Sequence, residues 1–163
     1  MKCIKYLIIG ICILGCYSRE PEKTGLEGKP FPSFDLLSID SITKIKPNNI
    51  YKNEALVLFD FGPHCAYSRA QMEEIINNIN ILDKIQFILT TTWPYKEMKD
   101  FYAHYNLKKL RNVTIGLDYS NFVSYYFKSR GVPYTAIYGK DHKLRATYIG
   151  VIDAKLIKKI AEN

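Results

Sequence analysis

The sequence predicts an α/β domain built on a central mixed β-sheet with helices on both faces. Strand and helix patterns alternate along the middle of the chain, which is the order that lays helices over a largely parallel sheet. Ala55 to Phe61 is an apolar run broken only by Asp60, as a strand covered on both sides requires. Near the C-terminus, two strand patterns are joined by Gly139-Lys140-Asp141-His142-Lys143 and followed by an amphipathic stretch, which reads as a hairpin and a closing helix. With 163 residues, 47% of them hydrophobic and 24% charged, the chain has room for one ordinary domain with a real core.

The elements follow in order. Residues 1–15 read as a secretory signal peptide: Lys2 and Lys5 supply the positive start, and Tyr6 to Leu14 form an apolar stretch too short for a bilayer span. Residues 16–29 are polar, carry Pro21, Gly25 and Gly28, show no apolar period, and read as a flexible tether. The folded domain is expected over 30–163. Phe31 to Ile39 alternates loosely as a strand, and Pro47-Asn48-Asn49 marks a turn. After the Ala55 to Phe61 strand, Met72, Ile75, Ile76 and Ile79 lie on one helical face. Ile85 to Thr91 is the next strand, and Pro94 opens a helix with Met98, Phe101, Tyr102 and Tyr105 on its apolar side. Val113 to Leu117 leads through a cap at Asp118 into a helix spanning Phe122 to Phe127. The hairpin strands run from Gly131 to Tyr138 and from Leu144 to Val151; Asp153 then caps a helix whose Leu156, Ile157 and Ile160 face inward.

Cysteine placement narrows the chemistry. Cys3 and Cys12 fall within the leader, and Ile13-Leu14-Gly15-Cys16 resembles a bacterial lipobox, in which a small residue precedes a cysteine that takes lipid and becomes the new N-terminus. That resemblance implies lipidation at Cys16, a bacterial cell-envelope location and attachment to a membrane facing an extracytoplasmic space; an ordinary leader or an uncleaved anchor that happens to contain Cys16 is the alternative. Cys65 then remains as the one free thiol, with no internal disulfide open to it. In an exported compartment it reacts, pairs with another molecule, a disulfide-linked dimer included, or hides in the core. Loss of the leader takes the net charge from +7 to +5. That suits an anionic lipid surface, while the scattered basic residues show no nucleic-acid-reading motif. No cofactor motif is present, and a metal role would need more soft ligands than Cys65 and His64.

Cys65 stands where the apolar run ends at Gly62-Pro63 and the helical pattern begins. Unpaired N–H groups and the dipole of a helix start favour a thiolate there. Arg69 is one turn on, His64 is adjacent, and the Ser68 hydroxyl is placed to donate to the sulfur.

The stretch Leu58-Phe59-Asp60-Phe61-Gly62-Pro63-His64-Cys65-Ala66-Tyr67-Ser68-Arg69-Ala70-Gln71-Met72 resembles the active-site segment of thioredoxin-like proteins, most of all the membrane-tethered TlpA/ResA group of thiol-disulfide oxidoreductases. Gly28-Lys29-Pro30-Phe31-Pro32-Ser33-Phe34-Asp35-Leu36 is similar to the opening segment of redoxin domains, and Gly131-Val132-Pro133-Tyr134 to their cis-proline segment. The resemblance implies a thioredoxin-like fold, Cys65 as the attacking cysteine, and Ser68 at the resolving position. It also implies Val132 and Pro133 as the substrate-pairing segment, and Asp60 as a buried acid one residue closer to the cysteine than is usual. An alternative register sets Gly62-Pro63-His64-Cys65 against a C-P-H-C motif and fits the following helix less well. Serine cannot attack a mixed disulfide, so the expected activity is monothiol exchange or isomerisation on protein or small-molecule disulfides. Two other readings stay open: a binding or scaffold module that has lost catalysis, and a one-cysteine peroxidase. The Thr-x-x-Cys of the peroxidase is missing, since position 62 is Gly.

Overall fold

A computed structural model describes residues 20–163 apart from 51 and 52. The leader and Cys16 lie outside the described residues. The strands are β1 (Leu36–Ser38), β2 (Lys44–Ile45), β3 (Ala55–Asp60), β4 (Ile85–Thr91), β5 (Val113–Leu117), β6 (Tyr134–Tyr138) and β7 (Leu144–Ile149). The helices are α1 (Pro47–Ile50), α2 (Ala66–Asn77), α3 (Tyr95–His104), α4 (Phe122–Phe127) and α5 (Ala154–Ala161).

The strands form one mixed sheet in the order β2-β1-β5-β4-β3-β6-β7. The continuous apolar run becomes β3 at the centre, every residue buried, parallel to β4 on one side and antiparallel to β6 on the other. Pleating sends alternate residues to opposite layers. Val57 and Phe59, with Phe61 just beyond the strand, join Met72 and Ile75 of α2, Phe101 of α3 and Ile157 of α5 in one core. Leu56 and Leu58 join Val123 and Phe127 of α4 with Phe31 and Phe34 in the other. The predicted mixed sheet covered on both faces is therefore what forms.

Ile85–Thr91, Val113–Leu117 and Phe122–Phe127 match their expected bounds. Asp118 caps α4 through its carboxylate, which accepts from the N–H groups of Phe122 (2.9 Å) and Val123 (2.8 Å). Asp153 caps α5 by accepting from Lys155 and Leu156. Other bounds differ. The expected strand from Phe31 begins only at Leu36, because Phe31 and Phe34 both turn into the second core and Pro32 has no N–H to give a ladder. The Pro47-Asn48-Asn49 turn is the start of α1, with proline at the first helical position, where a missing N–H costs nothing. β6 starts after Pro133, and β7 stops before Gly150, whose φ is +86°.

The segment 22–29 is pinned rather than free. Glu22 N donates to Thr147 O and the Thr147 hydroxyl to Glu22 O, while Gly28 N donates to Leu144 O and Leu144 N to Lys29 O. This strap pairs with the outer edge of β7, which would otherwise expose unpaired backbone. The folded unit thus begins by Glu22 instead of at Pro30. No helix among the described residues is long and apolar enough to cross a membrane.

Candidate functional site

β3, β4 and β5 run parallel, so the loops that follow them gather at one end of the sheet, where α/β folds place their sites. Gly62 and Pro63 turn the chain out of β3, and Cys65 stands at the N-cap of α2 with extended backbone (φ −74°, ψ 120°). Its thiol is half-buried, the only free cysteine among the described residues. The neighbouring strand order brings the segment before β6 across to it: Cys65 Sγ lies 3.6 Å from the carbonyl oxygen of Val132, and the Val132–Pro133 bond is cis. Gly62 lets the segments pack closely here: a Cβ on it would sit 3.1 Å from Val132 Cγ2, so that side chain would have to give by a few tenths of an ångström, and 3.4 Å from both Cys65 Cβ and Trp93 Nε1.

The thiol titrates below its ordinary value. Burial pushes it up, but the backbone N–H and hydroxyl of Ser68 and the N–H of Tyr67 all point at the sulfur and outweigh that. Ser68 is itself fully buried, and its oxygen accepts from Gly62 N at 3.2 Å, which leaves the hydroxyl hydrogen free for Cys65. One side chain therefore ties the turn before the helix to the sulfur at its start.

Arg69 and His64 do something other than face the thiol. Arg69 Nε donates to Pro63 O at 2.8 Å and holds the loop. His64 Nε2 pairs with Glu97 Oε2 of α3 at 2.9 Å, and its ring meets Trp93 edge-on at 5.4 Å. Arg69, His64 and Glu97 border a cleft of about 230 Å³ between the start of α2 and α3, lined also by Phe101 and Tyr105.

Asp60 lies in the wrong layer for a proton relay to Cys65. Phe59 and Phe61 turn toward α2, so the pleat turns Asp60 the other way, where Thr90 Oγ1 donates to its carboxylate at 2.8 Å. Burial, with the charge of Asp118 adding to it, pushes Asp60 up to about 7. Reading Asp60 as an acid shifted by one residue overlooks that a shift of one residue in a strand changes the face.

Trp93, Tyr67 and Glu97 belong to the site, although no motif marks them. Trp93 and Tyr67 are exposed, and Trp93 is the sole tryptophan of the chain. Its position directly after β4 and before a helix-opening proline was the available signal.

No protein-family model matches the chain, and no curated protein matches it. Solved structures do. The thioredoxin domain of a thiol-disulfide oxidoreductase from Bacteroides vulgatus superimposes with a TM-score of 0.68 at 13% identity, over 83% of this chain and 98% of that one. A disulfide oxidoreductase secreted by Mycobacterium tuberculosis gives 0.65 at 16%, over 80% and 96%. An exposed lipoprotein thioredoxin of Streptococcus pneumoniae gives 0.59 at 18%, over 78% and 99%. At these identities the shared property is architecture: the chain has a thioredoxin-like fold, with Cys65 at the start of the helix that follows the central strand.

Proposed function

We propose that this chain is a cell-envelope protein, attached to a membrane through lipid on Cys16, that performs monothiol disulfide exchange or isomerisation with Cys65. The carrying observation is the setting of the sulfur: half-exposed, stabilised as thiolate by Ser68 and Tyr67, and 3.6 Å from a carbonyl next to a cis proline. The secreted and lipoprotein descriptions of two similar structures support the location.

The Cys65 thiolate attacks one sulfur of a client disulfide, forming a Cys65–client disulfide and releasing the other client sulfur as a thiolate. Ser68 has no sulfur with which to break that bond. A different client thiolate attacks the client sulfur of the mixed disulfide, giving a rearranged disulfide and returning Cys65 as thiolate, whereas attack by the thiolate just released restores the original bond. No net electrons are consumed in isomerisation. Net reduction takes two external thiols for each turnover, which leave as their own disulfide.

The test is the pH dependence of Cys65 alkylation in the chain from Tyr17 onward, paired with capture of mixed disulfides. Rapid alkylation with an apparent pKa below that of an ordinary thiol, and captured species that vanish in Cys65→Ala, are expected. A slow, unshifted reaction with no captured species would remove the catalytic reading and leave a binding module.

A further inference from the structure

We propose that the active-site end of the domain is a docking surface for an anionic lipid bilayer, so that Cys65 works at the membrane rather than out in the surrounding space. The inference takes the attachment at Cys16 from the function proposed above. It rests on three features that the topology brings to one end.

The first is where the strap points. Glu22 pairs with Thr147 and Gly28 bonds to Leu144, so tracing the chain backward from Gly28 to Glu22 runs along β7 toward Ile149. Ile149 pairs with Tyr134, and Gly150 N donates to Pro133 O. The strap therefore leaves the domain toward the cis-proline segment. Cys16 is six positions before Glu22, a span of at most about 20 Å even when fully extended. A lipid there cannot hold this end far from the headgroups.

The second feature is a row of exposed aromatic side chains on the same end. Tyr119 follows β5, Trp93 follows β4 and Tyr67 follows β3, with 51%, 40% and 68% of their surface exposed. These three strands are neighbours in the sheet, so the three rings lie at one end, while the remaining exposed tyrosine among the described residues, Tyr125, lies on α4. Tryptophan and tyrosine are the side chains that settle at a lipid–water boundary, apolar body inward and polar tip at the headgroups.

The third is charge. Past β6 and β7 the rim continues as a cavity of about 260 Å³ between the strap and the loop before β6, bordered by Lys23, Lys128 and Arg130, with Glu22 the one acid on its wall. All three cations are exposed, and none is in an ion pair among the described residues. On α3, by contrast, Glu97 and Asp100 are already paired with His64 and Lys96. The rim thus presents unpaired positive charge beside aromatic rings, which complements an anionic bilayer. At roughly 4.8 Å per strand, the row from β5 to the strap is about 25 Å wide. Clients would then be disulfides in membrane-proximal segments of other proteins.

Trp93, as the only tryptophan, reports on this directly. The full chain purified from bacterial membranes is first weighed intact, which decides whether Cys16 carries lipid. It is then reconstituted into phosphatidylglycerol–phosphatidylcholine vesicles with brominated acyl chains, and Trp93 fluorescence is measured. Strong quenching that weakens in pure phosphatidylcholine, in high salt, and in Lys23→Gln/Lys128→Gln/Arg130→Gln is expected. The triple variant should lower the affinity of the rim for the bilayer ~100-fold, at roughly fivefold per cation. Trp93 left unquenched by brominated lipid but open to aqueous iodide would overturn the proposal and assign the aromatic rim to client peptides. Lipid on Cys16 with unquenched Trp93 would sink the docking surface alone, and quenching without lipid on Cys16 would sink the anchor alone.

Discussion

Cys65 and Ser68 share one helical turn, and the serine carries out only half of what a second cysteine would. It donates to the thiolate and holds the Gly62 turn, yet cannot resolve a mixed disulfide. Ser68→Ala removes one stabilising donor while the backbone donors of residues 67 and 68 stay, so the Cys65 pKa should rise. The mid-point of an alkylation-rate profile should then move to higher pH, and an unmoved mid-point would show that the hydroxyl does not face the sulfur. Ser68→Cys places a second sulfur in the spacing of a dithiol motif. It should stop mixed disulfides from accumulating and give an oxidised form lighter by two hydrogens, read by mass spectrometry. Cys65 at a helix start and Ser68 three positions on were legible in the sequence because both belong to one local turn. Strand pairing brings the Val132 carbonyl to the sulfur across 67 positions, which only the family resemblance of the segment around Pro133 signalled, and it brings Trp93 against the Gly62 turn, which no local pattern reports.

A buried amide and the Glu74 carboxylate, which accepts from Ala154 N at 3.0 Å, tie the active-site helix to the entry of α5. Gln71 Nε2 donates to Ile152 O at 3.2 Å, and Ile152 N donates to Gln71 Oε1 at 2.7 Å. Gln71 is fully buried, so the pair fixes α2 against the entry to α5. Gln71→Leu leaves a buried N–H and a buried C=O without partners, at a cost of about 2–4 kcal/mol. Thermal unfolding should show a Tm lower by roughly 5–15 °C for a domain of this size. A change of under about 2 °C would mean that the segment at Ile152 finds other partners. Helical spacing alone puts Gln71 next to Met72 without saying that its amide closes a contact 81 positions away. The apolar period did reveal which face of α2 is buried, because Met72 and Ile75 are core under any packing of an amphipathic helix on a sheet.

Across the whole molecule, the buried carboxylate of Asp60 links stability to pH. Its pKa is pushed up to about 7 in the folded protein against 3.8 for the free group, so the folded state holds a proton that the unfolded state has released. Stability should therefore fall as pH rises from about 4 to about 7, and level off above that, by a few kcal/mol in all. Asp60→Asn should flatten this dependence and raise the midpoint of urea unfolding at pH 8 while changing it little at pH 5. Equal slopes for the two proteins would show that the side chain is solvated. The order of elements, the mixed sheet, the two helical layers and the exposed start of α2 followed from the sequence by itself, because periods of 2 and 3.6 and the Gly-Pro break are local and survive any packing. Tertiary structure alone decided that Asp60 faces α4 rather than Cys65, that residues 22–29 seal β7, and that aromatic and basic side chains share the rim with the thiol. Those outcomes depend on the parity of one strand and the order of seven, which are set by which surfaces bury each other and not by any single segment.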